Sequence, residues 1–87
     1  MVTLSDPQFL RLVPPPAVLI QRFRLTAREA DVAVLLAYGA RNKTIADRLQ
    51  ISIHTARHHV EMVLTKLGAK NRTKVAVILI SSASQAP

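Results

Sequence analysis

Residues Arg41–Gly68 read "RNKTIADRLQISIHTARHHVEMVLTKLG", and the fold turns on this stretch. Ile45, Ala46 and Leu49 are apolar at i, i+1 and i+4, one face of a short helix predicted over about Lys43–Leu49, with Asn42 in position to be its N-cap. "QIS" at residues 50–52 then turns the chain. Ser52 is the N-cap of a longer helix, about Ile53–Leu67, and Gly68 closes it. A short helix, a three-residue turn and a longer helix form the helix-turn-helix pattern.

Placing the longer helix at about 100° per residue tests that reading. With Ala56 at zero, Val60, Val63, Leu64 and Leu67 lie between about −20° and +80°, a single stripe for a core. His54, Arg57, His58, Glu61 and Thr65 lie at about 100–200°, on the opposite face, and Thr55, His59, Met62 and Lys66 lie on one flank. The helix is therefore half buried, with hydrogen-bonding groups at one-turn spacing outside. A recognition helix in a major groove needs that arrangement.

The flanks are helical as well. "LTAREADVAVLLAYG" begins with Thr26 and Glu29 at capping-box spacing and ends at Gly39, which predicts a helix over about Ala27–Tyr38. Asn71 would cap a last helix, about Arg72–Ser81. In that helix Val75, Ile78 and Leu79 form the core stripe, while Val77 and Ile80 point away from it as a surplus apolar ridge. Upstream, "VPPPAV" at Val13–Val18 forbids a regular helix, so an extended arm is expected, then one helical turn within Ala17–Phe23. The closing "SSASQAP" reads as frayed.

Composition narrows the function. With 87 residues the chain is one domain, and with no cysteine it has neither disulfides nor cysteine zinc sites. No apolar run approaches the roughly 20 residues of a membrane span, and no secretory signal is evident. A cytoplasmic, nucleoid-associated location is expected. Aromatics amount to Phe9, Phe23 and Tyr38, too few for base stacking along a single strand. Net charge is +7, and it is unevenly spread: residues 41–74 carry eight cations against Asp47 and Glu61. A polyanion suits such a patch.

The enzyme and metal readings are weaker. His54 and His58 are i, i+4 on one face and Glu61 follows, a spacing that metal-binding helices use. A zinc site needs at least three ligands in a fixed shell, and the sequence names no further one. No glycine-rich phosphate loop or nucleophile–base constellation is present. Neither catalytic residues nor a metal or other cofactor are expected.

Four pieces of the chain resemble the LuxR-type (NarL/FixJ-type) DNA-binding domain of bacterial transcription regulators: "LTAREADVAVL", "GARNKTIADRLQIS", "TARHHV" and "KLGAKNR". They match in order and spacing over residues 25–80. The resemblance implies an all-α fold, a four-helix bundle containing a helix-turn-helix without a wing, here preceded by an irregular proline-rich arm. The division expected is an arm or linker at 1–24, the DNA-binding domain at 25–81 and a flexible tail at 82–87.

The resemblance also implies residue roles. Arg57 aligns with the family's basic residue that reaches bases, and His58 and Glu61 with other base-reading positions. Thr55 and His59 align with residues near the phosphate backbone. Lys43, at the start of the scaffold helix, is expected on phosphate, with Asn42 beside it. Lys66 completes the expected contact set. Arg72 matches an arginine at the last helix start that serves either DNA or the fold. Thr73, Val77 and Ile80 are the expected dimerisation face of a weak homodimer on an inverted repeat of double-stranded DNA, with RNA polymerase a candidate further partner. Three residues depart from the pattern. Ala33 stands where leucine is usual and Ala56 where valine is, and both shrink the core; the apolar N-terminal arm is a candidate to refill it. Glu61 brings an acid to the groove face, where it repels phosphate but can accept from cytosine N4. Members of this family usually attach the domain to a receiver or ligand-binding domain. The roughly 24 residues before it here suit a stand-alone regulator or the C-terminal piece of a longer one. The competing reading is a protein-interaction module that uses the same helical fold to bind another regulator.

Overall fold

Each helix boundary has a local cause. In the computed structural model, which describes residues 12–84, the chain enters its first helix through proline: Pro15 is extended, and Pro16 takes the first helical position, where a missing N–H costs nothing. This helix, α1 (Pro16–Phe23), runs about two turns rather than the single turn expected, and Arg24 ends it in the left-handed region at φ 59°. Thr26 and Glu29 then close the expected capping box: the Glu29 N–H donates to Thr26 Oγ1 at 3.1 Å and the Thr26 N–H to Glu29 Oε1 at 2.9 Å. The resulting α2 (Ala27–Ala37) stops at Gly39, whose φ of 83° lets the Ala40 N–H turn back to the Leu35 carbonyl at 3.0 Å.

Next come α3 (Asn42–Leu49) and α4 (Ile53–Leu67). Between them Gln50 adopts φ 57° and the Ile51 N–H bonds the Ala46 carbonyl at 3.0 Å. A non-glycine residue in that conformation costs about 1 kcal/mol, offset here by the carbonyls it satisfies. Ser52 caps α4 by accepting the Thr55 N–H at 3.0 Å, and Gly68 ends the helix at φ 69°. The last helix is α5 (Lys74–Ser84).

Three boundary expectations are corrected. Asn42 is not the N-cap of α3: Arg41 is, without a side-chain cap bond, and Asn42 is the first helical residue. Its carboxamide cannot fold back onto the helix because Arg72 holds it. Asn71 does not cap a helix at Arg72; residues 71–73 form a turn, in which the Asn71 carbonyl accepts the Lys74 N–H at 3.2 Å and its side chain accepts the Thr73 hydroxyl. The fraying expected from residue 82 does not occur there: α5 continues to Ser84 and Ser82 is buried. The expectations for residues 1–11 and 85–87 lie outside the described residues.

The described residues are all-helical, with five helices where a four-helix bundle was expected. Helix α4 packs on α2, α3 and α5; α5 also packs on α2, and α1 lies on α2. Ala30, Ala33, Ala37 and Ala56 are buried, so these backbones come together over small side chains. Leu19 of α1 is fully buried in the same core cluster as Ala33 and Ala56, so α1 contributes apolar volume to the core. Each such buried leucine is worth about 1.5–3 kcal/mol.

Candidate nucleic-acid interface

The helix-turn-helix presents α4 with one side in the core and the other in solvent, as its periodicity predicts. Ala56, Val60, Val63 and Leu67 are buried; His54, Arg57, His58, Glu61 and Thr65 are exposed; Thr55, His59, Met62 and Lys66 are half-buried. The Thr65 hydroxyl bonds back to the Glu61 carbonyl at 3.0 Å. The side chains of Arg57, His54 and Glu61 have no hydrogen-bond or ion-pair partner among the described residues, and the rings of His58 and His59 lie 6.3 Å apart, tilted. This face therefore carries a fork of guanidinium donors, an acceptor-only carboxylate and two imidazoles that each both donate and accept, none committed to the fold.

At the flank, the Ser52 hydroxyl donates to Thr55 Oγ1 at 2.9 Å while accepting the Thr55 N–H. The Thr55 hydroxyl proton is thereby directed away from Ser52. Lys43 is exposed in the first turn of α3, whose uncapped start leaves N–H groups available to an anion. Arg41, Arg48, Lys70 and Lys74 are exposed as well, so the basic excess of residues 41–74 lies on the surface.

Two of the cations predicted to touch DNA turn out to be occupied. Lys66 does not reach outward: its Nζ donates to Glu29 Oε1 at 2.7 Å and to the Arg24 carbonyl at 3.2 Å, fastening α4 to the start of α2. Glu29 is only 5% exposed. Burial pushes its carboxyl up, but the Lys66 hydrogen bond, the Thr26 N–H and the Lys66 charge outweigh that and hold it below the ordinary carboxylate value. Arg72 is occupied too, its Nη2 donating to the Ala40 carbonyl and to Asn42 Oδ1, both at 3.0 Å. The sequence offered one hint for Lys66, its place on the flank of α4 rather than the outer face; it offered none for Asn42 as the partner of Arg72.

The expected dimerisation residues divide. Thr73 is exposed and Val77 is 60% exposed, a large apolar side chain in water. Ile80 is half-buried and packed against the core, contrary to the expectation that it points away. Ile53, 47% exposed at the start of α4, was not singled out from sequence. Among the described residues no group of three or more histidine, cysteine or acidic side chains could hold a metal ion, and no helix is long and apolar enough to cross a membrane.

Residues 24–79, more than half of the chain, match the family described as GerE, bacterial regulatory proteins, luxR family. Among curated proteins the chain is 44% identical over 54 residues to the nitrate/nitrite response regulator protein NarL of Escherichia coli (strain K12), covering 62% of this chain and 25% of that protein. It is 42% identical over 53 residues to the transcriptional regulatory proteins LnrK and LiaR of Bacillus subtilis (strain 168), covering 61% of this chain and 24% and 25% of those proteins. The chain thus spans about a quarter of the length of these relatives. No solved structure matched. The chain belongs to the luxR family of bacterial regulatory proteins, and its helix-turn-helix lies within the segment it shares with these transcriptional regulators.

Proposed function

We propose that α4 enters the major groove of duplex DNA and reads a sequence there, with Arg57 as the principal base contact. What carries this reading is the uncommitted outer face of α4, set against a core stripe that fixes its orientation. A guanidinium can grip guanine O6 and N7 together, and that bidentate pair discriminates by about 1–3 kcal/mol. His58 and Glu61 flank Arg57 on the same face; Glu61 suits cytosine N4, which donates. Lys43, the start of α3, Thr55 and His59 lie to the sides, where they suit phosphate oxygens. Lys66 leaves this set, because its ammonium holds Glu29.

The division into an arm at 1–24 and a DNA-binding domain from residue 25 is kept as part of this reading, with the domain carried on through α5 to Ser84 and Leu19 tying the arm to the domain core. Val77, with Thr73 and the edge of Ile80, would meet a second copy across a two-fold axis. The interface is small, so the dimer is weak and forms fully on an inverted repeat. A cytoplasmic, nucleoid-bound regulator that touches RNA polymerase completes the picture.

The test is a titration of the chain with pooled duplex DNA at several salt concentrations. With about six phosphate contacts, affinity falls roughly a thousandfold between about 50 and 200 mM salt. Binding that ignores salt would point to an apolar protein partner instead.

A further inference from the structure

Asn42 was expected on DNA and Arg72 on either DNA or the fold, and the structure bonds them to each other. Arg72 lies in the turn before α5, and Asn42 is the first residue of α3. One guanidinium nitrogen, Nη2, spans the Ala40 carbonyl and Asn42 Oδ1 at 3.0 Å each. Arginine only donates, so the oxygen end of the Asn42 carboxamide must face it, and the amino end is left outside the clip. Asn42 is itself the first residue of α3, a helix start that Arg41 leaves without a side-chain cap, and the exposed Lys43 follows it. Asn42, Lys43, Arg72 and Ile53 line one open groove there.

We infer that Arg72 is a positioning residue for DNA binding: it makes no contact with DNA, and it acts through Asn42, whose carboxamide it locks so that the amino group donates to a phosphate. The inference rests on the groove reading above and goes further, moving Arg72 out of the contact set and making Asn42 the contact. It also ties the start of the dimerisation helix to the phosphate-facing end of the scaffold helix through one side chain.

The experiment uses the full chain and a duplex of its preferred sequence, with affinity measured across a salt series and melting temperature measured alongside. Arg72→Ala and Asn42→Ala should each weaken binding about tenfold, the worth of one hydrogen bond to a charged group. The double variant should be no worse than either single one, because both break one unit. Arg72→Ala should leave the slope of log affinity against log salt unchanged. Arg72→Lys should behave like Arg72→Ala, since the shorter ammonium does not reach both oxygens, whereas a phosphate contact accepts lysine as a point charge. Asn42→Asp guards against loss of fold: it keeps an oxygen for Arg72 and melts no lower than the parent, yet loses DNA affinity with the amino group. A salt slope reduced by about 0.9 in Arg72→Ala, with affinity retained in Arg72→Lys, would overturn the inference in favour of direct contact. Lowered melting with unchanged affinity would overturn it in favour of a purely structural clip. Failure of the unaltered chain to bind any duplex would overturn the groove reading itself.

Discussion

Arg57 and Lys66 are cations of the same helix, and they face different surroundings. Lys66 is half-buried at the C-terminal end of α4 and holds a buried carboxylate and a backbone carbonyl. Arg57 is exposed in the first half of α4 and bonds nothing among the described residues. Charge does not separate the two; what separates them is the side of the helix each stands on and what the rest of the chain places within reach there. Glu29, fixed by its capping box with Thr26, is set to receive Lys66, whereas nothing in the described fold receives Arg57. A cation that a fold leaves unpaired on a half-buried helix is available to a partner, and one that a fold encloses belongs to stability. The two regions should therefore fail differently.

The largest effect on stability is expected at the enclosed end. Lys66→Met keeps much of the apolar stem and strands the Glu29 carboxylate, at a cost of about 1–3 kcal/mol. In urea denaturation the midpoint should fall accordingly, and adding Glu29→Gln should recover part of the loss. The salt slope for DNA binding should not change. A reduced slope with intact stability would place Lys66 on DNA and erase the comparison.

A similar cost is expected at Ile80, and almost none one turn earlier in α5. Ile80→Glu forces a charge against the core and should destabilise by about 1–3 kcal/mol. Val77→Glu, on a side chain already in water, should stay within about 0.5 kcal/mol. It should still abolish cooperative binding to a paired site, measured by gel shift on single and double half-sites. Retained cooperativity would remove Val77 from the dimer.

Lys43→Ala should weaken binding to all duplexes alike and lower the salt slope by about 0.9, with no change in melting temperature. Loss confined to one sequence would make Lys43 a base contact.

The smallest effect is pH-linked. The Glu29 carboxyl is held below its ordinary value in the folded chain. Its contribution is thus fully present at neutral pH, begins to be lost as pH falls past the unfolded value of about 4.3, and is gone below the folded value. The stability gap between the parent and Lys66→Met should narrow over that acid range. A gap constant from pH 7 to pH 3 would mean the carboxylate is not what Lys66 stabilises.

Much of this architecture could be read from residues alone, for physical reasons. The outer, inner and flanking residues of α4 follow from periodicity, because a helix that is half buried must repeat its apolar side chains. The capping box at Thr26 and Glu29, the cap at Ser52 and the glycine ends at Gly39 and Gly68 are local, so local sequence shows them. Long-range pairings are hidden for the opposite reason. Glu29 reads as a complete capping residue, and nothing in its neighbourhood announces Lys66. Asn42 resembles an N-cap in sequence, yet Arg72, thirty residues later, takes its oxygen. The proline run at residues 14–16 suggested an irregular arm, because proline forbids helix before it more strongly than after it; α1 begins at the last proline. Ile80 was assigned outward from an even apolar helix, where periodicity carries little information about rotation.

The central claim is that Arg57 reads a base while the enclosed cations do not. Selecting bound duplexes from a randomised pool with the parent chain and with Arg57→Ala, side by side at fixed salt, tests it most directly. The account predicts a parent motif with a guanine at one fixed position, and an Arg57→Ala pool in which that position alone is relaxed and affinity falls by about 1–3 kcal/mol. An unchanged motif in Arg57→Ala, or no motif with the parent, would contradict it.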